Sequence, residues 1–359
     1  MKILHVETGR HFYGGAQQVV WLAGGLLRRG SDNLLVCTPD SAVAEAATAA
    51  GIAVATLPCA GDLDLSFAWR LRQLLQKERP DIVHCHSRRG ADFLGGQAAA
   101  MAGIPAVLSR RVDSPHSRLG AALRYRAFRK VIAISAHVAA VLEDAGLQRD
   151  KLVVIRSAVT SEPMREPADT AEVRRQFGIE PGVVALASAG QLIARKGHGL
   201  LLQALAGIRS PSCKLVIFGA GPLRNELQND VARLKLADRV SLAGFRDDFD
   251  RLLGGFDMLV HPATREGLGV VMLQAAAAAL PVVAFDAAGA REAVANGESG
   301  LLVPAQDVPA LRAAIVELAG DPGRRLRLGA AGRQRMRREF AVSDMVDAHL
   351  ELYQSVLRG

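Results

Sequence analysis

The chain is short of aromatic residues, of cysteines and of long apolar runs, and each shortage removes a class of protein. Aromatics make up only 4% of its 359 residues. That is too few for the stacking platforms of single-stranded nucleic-acid binders, and no recognisable binding module accompanies the pI near 9.7, so no nucleic-acid partner is expected. The four cysteines, Cys37, Cys59, Cys85 and Cys213, stand far apart and form no CxxC pair, which suits a reducing cytosol. The longest apolar stretch, Ala275 to Phe285, falls well short of the roughly 18 residues that cross a bilayer. The opening MKILHVETG is too brief an apolar run for a signal peptide. A cytoplasmic protein is expected, with any membrane contact peripheral.

What is present is ample core material. Half of the residues are hydrophobic, and the length allows two or three domains at about 150 residues each. Apolar strand-like runs (Ile3 to Val6, Asn33 to Cys37, Ile82 to His86, Ala106 to Leu108, Val131 to Ile134, Leu152 to Ile155) alternate with alanine-rich helical stretches. A proline- and charge-rich segment, SEPMREPADT, follows Thr160. A second series then begins: Val183 to Ala187, Leu215 to Phe218, Val240 to Leu242, Met258 to Val260 and Val282 to Phe285. Alternation of this kind predicts an α/β chain of two doubly wound, Rossmann-like parallel-sheet domains, whose ligands bind beyond the carboxyl ends of the strands. The boundary is expected near residue 165. Residues 1–165 form one domain, 166–340 the second, and a final helix over 341–359 is expected to pack back on the first.

The most informative stretch runs from Thr264 to Pro304. After the strand-like Asp257 to Val260, a loop carries Glu266, Gly267 and Gly269, and Val270 to Ala279 continues as an apolar helix. A helix N-terminus behind a glycine turn is a ready phosphate site, although glycine serves any tight turn. The run REGLGVVMLQAAAAALPVVAFDAAGAREAVANGESGLLVP resembles the signature of the family 4 retaining glycosyltransferases, an acidic residue followed eight positions later by a second. Glu266 matches the first acid, and Gln274 stands in place of the second. Together with the two-domain pattern this resembles the GT-B fold of that family, best from about Gly190 to Tyr353. The resemblance implies that Glu266 and the amides of Gly267, Gly269 and Val270 hold a donor sugar and its diphosphate. Gln274 would bind the ribose, since an amide still hydrogen-bonds a hydroxyl.

Two further loops fit that expectation. Gly14-Gly15, placed between the opening strand and a helix from Ala16 to Arg29, would let backbone amides approach a diphosphate or sugar oxygen. In GQLIARKGHGLLLQAL, Lys196 before Gly197 matches the family's diphosphate-binding lysine. Gln191 occupies the place of the family's arginine, and Arg195 is the candidate to replace it. The bland alternative for Arg195 and Lys196 is a pair of solvated surface charges.

The first half is basic. Residues 1–160 hold 20 Lys and Arg against 13 Asp and Glu, and the remainder 24 against 23, so the excess behind the net charge of +8 lies in the first half. Nine of the cations (Arg88, Arg89, Arg110, Arg111, Arg118, Arg124, Arg126, Arg129 and Lys130) lie between His84 and Lys130 against two acids, Asp92 and Asp113. A basic face suits an anionic glycolipid or glycan acceptor, or the inner membrane surface; a merely solvated face is the alternative. Where the family often has a histidine in the loop after the strand Ala106 to Leu108, this chain has Arg111, a candidate for holding a phosphate or carboxylate. His116, His86 or His84 could fill the histidine's role. His84-Cys85-His86 places two imidazoles on one face of a strand, but a zinc site wants three or four ligands and no further Cys or His cluster adjoins them in the sequence. Asp62-Leu63-Asp64 and Asp248-Phe249-Asp250 match a metal-binding DxD by chance composition. No metal and no cofactor is expected.

These readings converge on a metal-independent transfer of a sugar from a nucleotide diphospho-sugar to a cell-envelope acceptor, lipopolysaccharide core foremost, with the retention of configuration that the resemblance implies. Glu266, Lys196 and Arg195 are the expected catalytic set. A non-hydrolysing nucleotide-sugar epimerase of the same fold and a non-enzymatic degenerate relative are the alternatives. A dinucleotide-dependent oxidoreductase would need a GxGxxG after the first strand, and TGRHFYGGAQ lacks that spacing.

Overall fold

The computed structural model describes residues 1–86, 90–114, 117–160 and 168–359. Arg88, Arg89, His116 and the expected boundary near residue 165 lie outside the described residues. The chain forms two compact units, Met1–Ala158 with Val342–Gly359, and Val159–Ala341.

The first unit is built on seven parallel strands: β1 (Lys2–Glu7), β2 (Asp32–Cys37), β3 (Ala53–Thr56), β4 (Ile82–Cys85), β5 (Ala106–Arg110), β6 (Lys130–Ala133) and β7 (Leu152–Val154), in the order β3-β2-β1-β4-β5-β6-β7. Helices cover both faces, so the central strands read as near-continuous apolar runs rather than alternating ones. The winding reverses between β1 and β4, whose register sets His5 opposite His84. The first helix spans Gly14–Arg28, so Gly14 and Gly15 form its opening turn rather than the loop before it. A helix begins as soon as the backbone turns, and glycine does not forbid the first turn, where amides need no intrahelical partner. Among the core side chains are Ile3, Leu22, Leu26, Ile82 and Val107, joined by Met345, Val346, Leu352 and Tyr353 of the helix Val342–Arg358. Each such burial is worth about 1.5–3 kcal/mol. Gly25 permits the close helix contact, since a Cβ there would lie 2.4 Å from a Val346 methyl. Arg29 donates two bonds to the Asp347 carboxylate beside it.

The second unit has six parallel strands: β8 (Val184–Ala189), β9 (Cys213–Phe218), β10 (Val240–Gly244), β11 (Met258–His261), β12 (Val282–Phe285) and β13 (Gly300–Val303), in the order β10-β9-β8-β11-β12-β13. Here the winding reverses between β8 and β11. Both sheets are doubly wound, and the α/β architecture expected from the alternating pattern is the one observed. The strands absent from the expected series are β3 and β13. Each is four residues long and stands at a sheet edge, where one-sided pairing needs little apolar sequence.

Candidate functional site

In a doubly wound sheet the two strands flanking the reversal send their loops apart and leave a crevice. In the second unit those strands are β8 and β11, and the loops after them carry Lys196 and Glu266. Four loops meet there through contacts that only glycine permits. Gly197, with φ 68°, would place a Cβ 2.0 Å from the Pro262 carbonyl oxygen; Gly219 would place one 1.9 Å from the Gly190 oxygen; Gly289 would place one 2.3 Å from the Glu266 oxygen. The backbone of the β8 loop is thereby locked against those of β9 and β11, and the β12 loop against that of β11.

Glu266 is the hub. Its Oε2 accepts from the Lys196 ammonium and from His261 Nε2 at 2.9 Å, and its Oε1 accepts from the Gly267 amide at 3.2 Å. The Lys196 and Glu266 side chains are each 12% exposed. Burial by itself raises the carboxyl, but Lys196 and the His261 hydrogen bond outweigh it and hold Glu266 well below the ordinary carboxylate range. The His261 ring is lowered by its burial, against the upward pull of Glu266. The cluster is therefore a fixed carboxylate with a cation and a neutral donor on one oxygen, an arrangement suited to binding hydroxyls and an anionic group side by side. His261 was not among the expected residues. The signal available for it was a polar residue closing the apolar run of β11, directly before the glycine loop.

The other expected residues distribute around this hub. Gly269 adopts φ 81° with a virtual Cβ 3.2 Å from Glu266 Cγ, and it caps the helix Val270–Ala277 without any side-chain bond to the first turn. Val270 opens that helix and Gln274, half-buried, lies one turn in. Arg195 turns to the Arg265 carbonyl at 3.4 Å while its own carbonyl accepts from Thr264. Gln191 is exposed. Of the DxD matches, Asp64 caps the helix Leu65–Glu78 and Asp248 pairs with Arg246; both are structural roles.

The first unit has a crevice at its own reversal point. A cavity of about 210 Å³ beyond β1 and β4 is lined by Glu7, Gly15, His86, Asp92, Ser109 and Arg111, among others. Gly15, His86 and Arg111 are thus brought together, whereas Gly14 is not part of the lining. Gly15 and Arg111 are neighbours in that lining, the Arg111 Cδ lying at an ordinary contact distance of 3.5 Å from where a Cβ of Gly15 would stand. Burial lowers the Arg111 guanidinium to about 10, with Glu7 opposing, and it remains charged. The expectation of a basic face over residues 84–130 needs correction in part. Arg110 is buried and bonds Ser114, Arg111 faces inward to Ser157, and Arg124 pairs with the buried Asp92 at 2.6 Å. These cations serve a polar interior. Arg118, Arg126 and Arg129 are exposed.

The reading of His84 and His86 as an isolated imidazole pair also needs correction. Strand register brings in His5 from β1, and one nitrogen from each of His5, His84 and His86 lies within 4.8 Å of the others. His349 of the helix Val342–Arg358 lies nearby, its ring tilted against that of His84 with the centroids 5.5 Å apart. All four are buried. Residues 5, 84, 86 and 349 share no sequence neighbourhood, so only the fold reveals the group.

The family model for glycosyl transferases group 1 matches residues 169–335, and that for glycosyltransferase family 4 matches residues 13–162. The lipopolysaccharide core biosynthesis glycosyltransferase LpsD of Rhizobium meliloti is 27% identical over 98% of both chains. A GDP-mannose-dependent alpha-(1-6)-phosphatidylinositol monomannoside mannosyltransferase of Mycobacterium tuberculosis is 36% identical over 47% of this chain and 46% of its own. Among solved structures, Anabaena Alr3699/HepE in complex with UDP and glucose superposes with a TM-score of 0.89 at 22% identity, covering 99% of this chain and all of that one.

Proposed function

The chain belongs to the group 1 glycosyltransferases of family 4, and from that membership we propose that it moves a sugar from a nucleoside diphosphate sugar to a lipopolysaccharide-core or related envelope acceptor, retaining the anomeric configuration. The observation that carries the reading is the Lys196-Glu266-His261 cluster at the reversal point of the second sheet. Lys196 and Arg195 neutralise the diphosphate as the glycosidic bond breaks, and the amides at Gly267, Gly269 and Val270 add their dipoles, a form of stabilisation that dominates many such sites. Glu266 accepts from the sugar hydroxyls, and Gln274 from the ribose. The UDP complex of the HepE structure supports a nucleoside diphosphate donor, and the LpsD relationship supports the acceptor class.

The leaving phosphate takes the proton of the attacking hydroxyl on the same face, so no separate base and no metal is required. The cavity of the first unit, with Arg111 and His86, receives the acceptor. The chain works in the cytoplasm, and the exposed Leu119 and Leu123 beside Arg118 and Arg126 give it a peripheral hold on an anionic membrane.

Thermal shift and calorimetry against UDP-, GDP-, ADP- and CMP-sugars, with and without EDTA, test the donor half. Selective binding of one donor, unchanged by EDTA and lost in Lys196→Ala, is expected; binding of none would overturn the reading. Incubation without acceptor separates an epimerase, which would convert the donor, from a transferase, which would not.

A further inference from the structure

The buried imidazoles of the first unit do more than fill space, because their tautomers are fixed in series. Asn33 Nδ2 donates to the Ser31 carbonyl at 2.9 Å, which orients the amide and turns its Oδ1 to His5 Nε2 at 3.0 Å. His5 therefore carries its proton on Nε2 and presents a bare Nδ1. That nitrogen lies 3.0 Å from His86 Nε2, so His86 is the donor and its own proton sits on Nε2. The consequence is a lone pair on His86 Nδ1, which is buried and has no hydrogen-bond partner. Burial keeps both rings neutral, lowering His5 to about 4 and His86 well below the ordinary value. A fixed tautomer of this kind is set by the bond made at the other nitrogen.

His86 is 3% exposed and lines the cavity at the reversal point. Two further lining atoms are buried without partners: Asp92 Oδ1, whose other oxygen is held by Arg124, and Arg111 Nε. Leaving a buried acceptor or donor unpaired costs about 1–3 kcal/mol, so three in one cavity describe a ligand. Two acceptors call for hydroxyl donors, and a guanidinium nitrogen calls for an anionic acceptor.

We infer that His86 Nδ1, held in one tautomer by Asn33 and His5, is a positioning acceptor for a ring hydroxyl of the ligand in this cavity, and that Arg111 beside it selects a sugar bearing a carboxylate or phosphate. The inference rests on the transferase reading only in equating that ligand with the acceptor substrate.

The test is long-range 1H–15N NMR of histidine-labelled full-length protein, titrated with glucuronate, glucose 6-phosphate and, as neutral control, glucose. The expected spectrum shows an unprotonated His86 Nδ1 that shifts with the two acidic sugars and not with glucose. Asn33→Leu should mix the tautomers and weaken acidic-sugar binding about tenfold. In turnover assays Asn33→Leu should raise the acceptor KM and leave the donor KM unchanged. A proton on Nδ1 in the wild-type protein would overturn the inference, as would an equal response to glucose. Zinc retained through dialysis with His5, His84 and His86 as its ligands would overturn it too, because the nitrogen that donates to His5 would then hold metal. If no nucleotide sugar binds, the transferase reading falls, and the tautomer and titration still decide this one.

Discussion

At the scale of single residues, two groups of buried titratable side chains govern behaviour in opposite halves of the chain. Lys196→Ala removes the cation from a carboxylate that is 12% exposed, leaving it to His261 and one amide. Breaking such a buried pair costs about 3 kcal/mol, so the melting temperature should drop as well as donor affinity. Glu266→Ala should lower turnover by at least about a hundredfold, because the sugar hydroxyls lose their acceptor and Lys196 its anchor, and misplacement of the reacting groups is costly on that scale; retained turnover would refute its role. The histidines give the pH dependence. His5 titrates in the folded chain at about 4 and His349 at about 3, with His84 and His86 also well below the ordinary 6.5, burial being the main cause in each. Below pH 6.5 the unfolded chain binds protons that the folded chain refuses. Stability is thus whole above that pH and falls as the pH drops towards 4, by about 1.4 kcal/mol per pH unit for each ring. A melting temperature much lower at pH 5 than at pH 7.5 is expected; an unchanged one would mean that these rings are already protonated when folded.

At the scale of elements, loops and helix ends place the chemistry. Gly197 sits at φ 68° against a carbonyl oxygen 2.0 Å from where a Cβ would go, so Gly197→Ala must displace the turn that aims Lys196. A loss of more than about 2 kcal/mol is expected from strain and displacement together. Gly15→Ala meets only an ordinary 3.5 Å contact with Arg111 and lies in a helix, where alanine is preferred by up to about 1 kcal/mol. Denaturant melts of the two variants should separate them clearly. The helix Arg118–Tyr125 displays Leu119 at 82% and Leu123 at 52% exposure. Sedimentation with anionic vesicles should therefore weaken in a Leu119→Ser, Leu123→Ser double variant and in high salt; binding indifferent to both would remove membrane contact from the proposal. Much at this scale was legible beforehand. Buried strands such as Leu34 to Cys37 or Met258 to Val260 announce themselves as apolar runs, and Glu266 and Lys196 sit in motifs. Edge strands β3 and β13 were not legible because four half-covered residues carry no period. Nor was the opening of the first helix at Gly14, since the glycine pair reads as a loop. The Asn33-His5-His86 series depends on which strands become neighbours, which no local pattern encodes.

At the scale of the whole molecule, the first unit is completed by residues more than 180 positions beyond its last strand. Tyr353 hydrogen-bonds His84 at 2.6 Å, and Val346 and Leu352 fill the core beside Leu22 and Leu26. Deleting residues 342–359 should lower the calorimetric transition of the first unit and leave that of the second in place; a loss of both transitions would show that the two unfold as one. The same helix sets an order of events during synthesis. Domains usually fold as they emerge, the N-terminal one first. Here the later-encoded unit, ending at Ala341, has all its strands outside the ribosome while the earlier one still waits with the groove beside Leu22 uncovered. The half of the protein that is translated first is the half that finishes last, and its exposed apolar seam is a natural target for chaperones throughout the making of the other.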